Sequence, residues 1–438
     1  MKIELISPAA EENAPVPNLA LPILASLTPS DIEVSFTDDL LTPIDLERGV
    51  KPVDLVGITV LTKTAKRAYE IADAYRRRGI PVVLGGIHVS ALPEEAREHA
   101  DAVVIGEAEE LWPRLIDDFR KKDLKPFYRQ AQPVPPSMIP RPRRDILPRR
   151  GYFPLDVVQY SRGCPFRCEF CSVRRFFGEQ YRFRPLEAVV EEIRSLPHRL
   201  VLFNDDNVLG HPSYSRELLQ ALVPLKKKWA GESSLAGLKE IGQIELLAES
   251  GCIGLLIGFE SLSPSNLRLS KKFQNDPESY REIIDALHRH GITVWGSFMF
   301  GFDDDLPETI HEAVSFAIQT KLFAVNFAIL TPYPETDFYH RVKREGRLTH
   351  DRWWLLKNPN EVAPFYEPKR MSREALRRLW KEAWQEFYSH RSILRRFQWD
   401  YPPTLANRLV YFPFQWMHRR FIRKKILEGR PRYRRRLF

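Results

Sequence analysis

Short apolar runs alternate with amphipathic stretches over the first 120 residues. IELIS (3–7), IEVSFTD (32–38), DLVGITV (54–60), VVLGG (82–86) and DAVVIGE (101–107) have the length and apolarity of buried strands. Residues 19–27, 64–78 and 109–121 carry apolar positions at helical spacing, and Gly79 closes the second of these. Strands alternating with helices of this length predict a parallel, doubly wound, Rossmann-like (flavodoxin-like) sheet. Ligands of such sheets bind beyond the carboxyl ends of the strands. The Thr59–Thr64 segment, Gly85-Gly86 and Gly106-Glu107 fall at three such ends.

The pattern breaks at residues 126–150, which hold seven prolines and predict an extended surface linker. It resumes near Val157. Strands are predicted at VVQYS, 199–206, 252–261, 293–302 and 324–334, and helices at 185–195, 213–229, 241–250, 277–290 and 307–320. Five or six βα units predict a partial (β/α)6 barrel of TIM type, with its site at the C-terminal ends of the strands. Residues 371–397 read as one amphipathic helix packed on that barrel. The predicted organisation is an N-terminal domain (1–125), a linker (126–150), the barrel (151–350) and a helical C-terminal extension (351–438).

An apolar fraction of 43% in 438 residues supports two or three domains with proper cores. No apolar run is long enough to span a membrane, and the N-terminus reads as a strand with no signal peptide, so a cytoplasmic protein is expected. The net charge of +9 is local: residues 399–438 hold eleven Lys or Arg against Asp400 and Glu428, and the remainder is neutral. A general nucleic-acid-binding surface is therefore not expected.

Three of the four cysteines, Cys164, Cys168 and Cys171, crowd into SRGCPFRCEFC. Thiolates are the natural ligands of iron–sulfur clusters. Three of them on a four-iron cubane leave one iron open to a substrate or cosubstrate. Structural zinc takes four ligands; the fourth cysteine, Cys252, is far along the chain, and neither His198 nor His211 has finger-like spacing. A disulfide framework is disfavoured by the close spacing and the reducing compartment.

The C-x3-C-x2-C spacing, with Phe170 before the last cysteine, resembles the signature of the radical S-adenosylmethionine (SAM) superfamily. That resemblance implies a [4Fe-4S] cluster on Cys164, Cys168 and Cys171, and SAM on the open iron. It implies SAM cleavage to a 5′-deoxyadenosyl radical, and an external electron donor such as flavodoxin or ferredoxin. It places Phe170 near the adenine. It also makes the NDDN string after the second barrel strand, Asp205 and Asp206 above all, a contact for the SAM amino group. Helix capping is the bland alternative for that string. Glu260, with Ser261, would meet the ribose. Gly301 belongs to a loose match of the glycine pattern near the adenine, and TPYPET (331–336) to the turn that backs the adenosine. Ser233 and Ser234 are weaker candidates, and Cys252 is assigned no role.

The N-terminal half resembles the cobalamin-binding domain of one large radical SAM class. GITVLTKT, which contains Thr59, is similar to that family's nucleotide-tail segment, and Gly85, Gly86 and the IGE string also match. The D-x-H-x-x-G motif with its cobalt-ligating histidine is absent, and residues 7–22 occupy that place. Cobalamin binding is implied; the alternative is a flavodoxin-like domain without a cofactor.

Together the two halves look like the subfamily of cobalamin-dependent C-methyltransferases acting on unactivated carbons. A radical cyclase or oxidoreductase of the same architecture is the alternative. A methylthiotransferase would carry three further cysteines before Cys164, and this chain has none there. In the C-terminal tail, aromatics are interleaved with Arg and Lys. This suits an anionic membrane surface and a lipid or isoprenoid substrate at the inner membrane face. Nucleic acid, or a packed or solvated tail, are the other readings. A small-molecule or lipid substrate is expected.

Overall fold

The computed structural model describes residues 1–9, 15–47, 50–241, 244–398 and 405–427. The first sheet contains β1 (Lys2–Ser7), β2 (Glu33–Asp38), β3 (Leu55–Thr59), β4 (Val82–Gly85), β5 (Ala102–Ile105) and β6 (Phe127–Arg129). All pair in parallel, in the order β2-β1-β3-β4-β5-β6. Helices cover both faces, so the central strands are buried throughout and read as continuous apolar runs. The order reverses between β1 and β3, the crevice where doubly wound sheets bind ligands.

The second sheet contains β7 (Asp156–Val158), β10 (Leu200–Phe203), β11 (Lys228–Ser233), β12 (Cys252–Glu260), β13 (Thr293–Phe300) and β14 (Ala324–Ile329). These six strands are parallel and follow one another in chain order, giving a partial barrel. A short antiparallel pair, β8 (Ser161–Arg162) and β9 (Arg182–Phe183), sits apart from it and brackets the cysteine loop.

Four expectations are corrected. Phe127–Arg129 was expected in the linker but forms the edge strand β6. Pro126 stands just before it and Tyr128 is buried. The linker does not simply cross the surface, because Val134 and Ile139 are buried in one cluster with Leu19 and Ile23 of the first helix and Val157 of β7. The helix expected over 213–229 runs only Pro212–Leu222. Pro224 stops it, Lys226 turns through φ 52°, and Trp229 enters β11 with its indole N–H donating to Ser250 Oγ at 3.0 Å. The helix expected over 371–397 is two helices, Arg373–Phe387 and His390–Arg396. Ser389 caps the second by accepting from the Ser392 N–H at 3.2 Å.

The C-terminal region serves both halves. Trp353, Trp354 and Phe365 complete the core of the first sheet, together with Tyr69, Val89 and Ile105. The helix Leu405–Ile422 packs on the barrel through Tyr411 and Gln415, which accepts from the buried Arg396 at 3.1 Å. Its opposite side leaves Leu409, Val410, Trp416 and Met417 exposed. The basic tail beyond residue 427 lies outside the described residues. Among the described residues no helix is long and apolar enough to cross a membrane.

Candidate active site

The cysteines lie on residues 163–181, between β8 and β9. Gly163 opens the loop at φ 88°, and a Cβ there would stand 2.1 Å from the Gln180 carbonyl oxygen, so only glycine fits. The Cys171 N–H donates to the Cys168 carbonyl at 3.1 Å, which closes a turn around the last two cysteines. Burial pushes the Cys171 thiol up to about 12 and raises Cys164; the neighbouring Cys168 adds to both shifts, and Cys164 adds to that of Cys171. Among the described residues no three His, Cys, Asp or Glu side chains close on the point a single metal ion would take. Cys252 is buried in β12, with its sulfur directed at the Gly254 carbonyl. A donor set of three neighbouring thiols and no fourth suits a cubane with one free corner better than a zinc ion.

The loop is held by charged partners. Asp205 accepts from the Tyr160 N–H at 3.0 Å, from the Ser161 N–H and from Ser161 Oγ at 2.6 Å. Both of its carboxylate oxygens pin the backbone that enters the loop, and the residue is 2% exposed. Glu169, between two cysteines, accepts from Arg341 Nε at 3.1 Å and Nη2 at 2.7 Å, and its carbonyl accepts from the Phe338 N–H at 2.8 Å. Arg341 also pairs with Asp303. Gln274 Nε2 lies 3.6 Å from Cys168 Sγ.

Asp206, by contrast, is exposed beyond the end of β10, as is Glu232 in β11, and Glu232 lies within electrostatic reach of Asp206 and of the Glu260–Lys272 pair. Desolvation by the protein around it, then the neighbouring Asp205, pushes Asp206 up to about 7. The same desolvation, then Asp206 and Glu260, pushes Glu232 up to about 7, against the pull of Lys272. Glu260 is bound to Lys272 at 2.9 Å and holds φ 63°, a left-handed conformation rare outside glycine and common at functional sites. Gly258 makes room for that pair, since a Cβ would meet Glu260 Oε1 at 2.4 Å. Lys272 Nζ lies 6.0 Å over the Phe170 ring, and Phe170 packs edge-on to Phe302. Gly301, at φ 103°, donates its N–H to Asp305 at 2.7 Å and has no room for a Cβ beneath the Tyr366 hydroxyl. Ser261 Oγ accepts from the Ser263 N–H, and Ser234 is held by Asn207, so both stabilise turns. Glu232, Lys272 and Arg341 were missed from the sequence: Glu232 because its strand was read as following a longer helix, the others because they meet the loop from distant segments.

At the first sheet's C-terminal edge, Thr59 ends β3 beside Gly86, whose φ is 109°. A Cβ on Gly86 would stand 2.8 Å from the Val60 carbonyl, whereas Gly85 faces only an ordinary contact with Val104. His88 is fully buried, with one ring nitrogen 3.3 Å from Thr62 Oγ1 and the other 3.2 Å from Glu95 Oε1. It ties the β3 and β4 loops together and keeps neither nitrogen for a metal. Glu95 also accepts from Trp354 Nε1 at 2.9 Å. The loop after β1, where a cobalt-ligating histidine is missing, includes residues 10–14, which lie outside the described residues.

Residues 158–317 match the radical SAM superfamily, residues 9–116 the B12 binding domain, and residues 336–411 a domain of unknown function (DUF4070). The chain is 30% identical to bacteriochlorophyllide d C-12(1)-methyltransferase of Chlorobaculum tepidum, over 87% of this chain and 84% of that protein. The chain belongs to the radical SAM family with an N-terminal B12-binding domain. Within this radical SAM family it is also 25% identical to the hopanoid C-2 methylase of Rhodopseudomonas palustris, over 90% of this chain and 75% of that one. Its fold is that of the radical SAM methyltransferase TsrM from Kitasatospora setae, solved with cobalamin and a [4Fe-4S] cluster. The TM-score is 0.67 at 18% identity, covering 98% of this chain and 99% of that chain. The protein is thus an enzyme of the cobalamin-dependent radical SAM methyltransferase kind, using a [4Fe-4S] cluster, SAM and cobalamin.

If Glu169 and Arg341 hold the cysteine loop, Arg341→Met leaves the buried Glu169 carboxylate without its charged partner, at a cost on the order of 3 kcal/mol, and Glu169→Gln removes the loop's ion pair while Arg341 keeps Asp303. Iron and sulfide per chain after anaerobic reconstitution and gel filtration are expected to fall by about half or more. Full iron content in both variants contradicts the assignment.

Proposed function

We propose that this enzyme methylates an unactivated carbon of a large, mainly apolar small molecule of polycyclic or isoprenoid type. The observation that carries this is the similarity, over most of the chain, to methylases of a bacteriochlorophyllide and of a hopanoid. These substrates share an extended apolar skeleton with few handles. When bound, the cluster supplies the electron that splits SAM, and cobalamin carries the methyl group. An external donor of the flavodoxin or ferredoxin type supplies that electron.

The protein's own residues then bind, orient and exclude water. Cys164, Cys168 and Cys171 hold the cluster. Asp206, with Glu232 behind it, meets the SAM ammonium, for which a carboxylate is the matched acceptor. Glu260 presents its free carboxylate oxygen to the ribose while Lys272 fixes the other. Phe170 and the Gly301 turn flank the adenine. Thr59, Gly85 and Gly86 receive the nucleotide tail of cobalamin, with Gly86 letting the backbone approach closely.

The exposed row Leu409, Val410, Trp416 and Met417, next to Arg420, Arg423 and Lys424, supports a peripheral contact with an anionic membrane, where an apolar substrate would reside. This contact would place the enzyme at the cytoplasmic membrane face. Replacing Leu409 and Trp416 together by Gln is expected to abolish flotation with anionic vesicles. Equal flotation of variant and wild type removes the membrane contact.

Methyl transfer is tested by anaerobic turnover with SAM, cobalamin and a tetrapyrrole or triterpenoid acceptor. S-adenosylhomocysteine and deoxyadenosine are expected in equal amounts, with a product heavier by one methyl group. Deoxyadenosine without S-adenosylhomocysteine would instead indicate the cyclase or oxidoreductase reading.

The raised Asp206 and Glu232 give a pH dependence with a definite sign. A bound ammonium favours the ionised carboxylates and so lowers their pKa. Below about 7 a proton must leave as SAM binds, so affinity falls with falling pH by up to about tenfold per unit, and levels off above neutrality. Asp206→Asn is expected to flatten the profile of the SAM dissociation constant. A flat wild-type profile removes Asp206 from the ammonium site.

A further inference from the structure

Arg162 and Arg182 stand directly opposite each other across the β8–β9 pair, and both are largely buried. Like charges so placed repel unless an anion lies between them. That anion is Glu107, which follows β5 in the other sheet. Its Oε1 accepts from Arg162 Nη1 at 2.6 Å, and its Oε2 pairs with Arg182 Nη2 at 2.9 Å. Oε2 also accepts from the Val134 N–H and from Gln130 Nε2, each at 3.1 Å. Arg162 reaches Glu109 at 2.7 Å and donates through Nε to Gln159 at 2.9 Å. Arg182 donates to the Val134 carbonyl at 2.5 Å and to the Phe177 carbonyl at 2.8 Å.

β8 and β9 are the two feet of the cysteine loop. One carboxylate from the cobalamin-binding sheet therefore grips both ends of the segment that carries the cluster ligands. Gly106 makes the turn that aims Glu107 there: its φ is 93°, and a Cβ would collide with Gln130 Oε1 at 2.2 Å. Glu109 also reaches the loop, but only at Arg162, and Arg144 with Glu192 at 2.6 Å joins the linker to a barrel helix away from it.

We infer that Glu107 is a positioning residue that sets the cluster loop at a fixed separation from the cobalamin-binding face. The inference rests on the methyl-transfer reading. A substrate radical generated at the cluster side must meet its methyl donor before it is quenched, and the two sites are built on different sheets. A rigid joint between them keeps radical formation and methylation coupled. Glu107 touches neither reacting atoms nor, on this account, either cofactor.

The test uses Glu107→Gln in the full chain, loaded with cluster and cobalamin. Without turnover, pulsed EPR of the dipolar coupling between the reduced cluster and cob(II)alamin is expected to show a broadened or shifted distance distribution. In turnover, deoxyadenosine formed per methylated product is expected to rise by about tenfold, since small misplacements of reacting groups cost this much or more. A wild-type distance distribution together with a wild-type product ratio overturns the inference. So does a variant that is merely less heat-stable, whose folded fraction keeps the wild-type distances. If Glu107→Gln does not accumulate, Arg182→Lys, which keeps the charge but loses the paired geometry, is read by the same two measurements. If the wild type makes no S-adenosylhomocysteine, the methyl-transfer reading has failed on its own, and the distance measurement still judges Glu107.

Discussion

A loop proposed to offer three thiols to a cluster cannot be fixed by burying its side chains in a core. Its anchors are charges instead. Asp205 holds the backbone entering the loop, Glu107 holds the arginines at its two feet, and Glu169 is locked to Arg341 in its middle. Each anchor comes from a different part of the chain: the end of β10, the other sheet, and the helix after β14. Each is buried enough that removing one partner strands a charge, which costs more than losing an exposed pair. The rest of the site inherits its placement from this arrangement, because Phe170 and the Cys168–Cys171 turn ride on the same loop.

The two halves are consequently less separable than their sequence patterns imply. Trp353, Trp354 and Phe365 follow the barrel in sequence yet sit in the core of the first sheet. Trp354 donates to Glu95, Glu95 meets His88, and His88 meets Thr62. The chain after the barrel thereby reaches the loops at the switch point of the cobalamin-binding sheet. A return of the chain onto its first domain, together with the buried linker residues Val134 and Ile139, makes one body from what composition reads as domain, linker and domain.

Much of the fold was legible because strands of a parallel sheet covered on both faces must be apolar along their length, and such runs stand out. The cysteine spacing was legible because cysteine is scarce and its chemistry narrow. β6 was not, being three residues long beside proline-rich sequence, and the start of β11 was hidden because helix-like sequence runs into it. Asp205 and Asp206 show a finer limit. They are chain neighbours of one residue type, yet one is buried on backbone N–H groups and the other is exposed. Lys272, Arg341 and the arginines around Glu107 left no local trace, since an ion pair between distant segments has no periodicity.

The central claim is that Cys164, Cys168 and Cys171 hold a four-iron cluster whose fourth iron is left for SAM. Mössbauer spectroscopy of the protein reconstituted with iron-57, with and without SAM, tests it most directly. About one quarter of the iron is expected to change its isomer shift when SAM is added, the remainder staying as thiolate-ligated cluster iron. A spectrum in which SAM alters no iron, or in which the iron is not a four-iron cluster, would contradict the account.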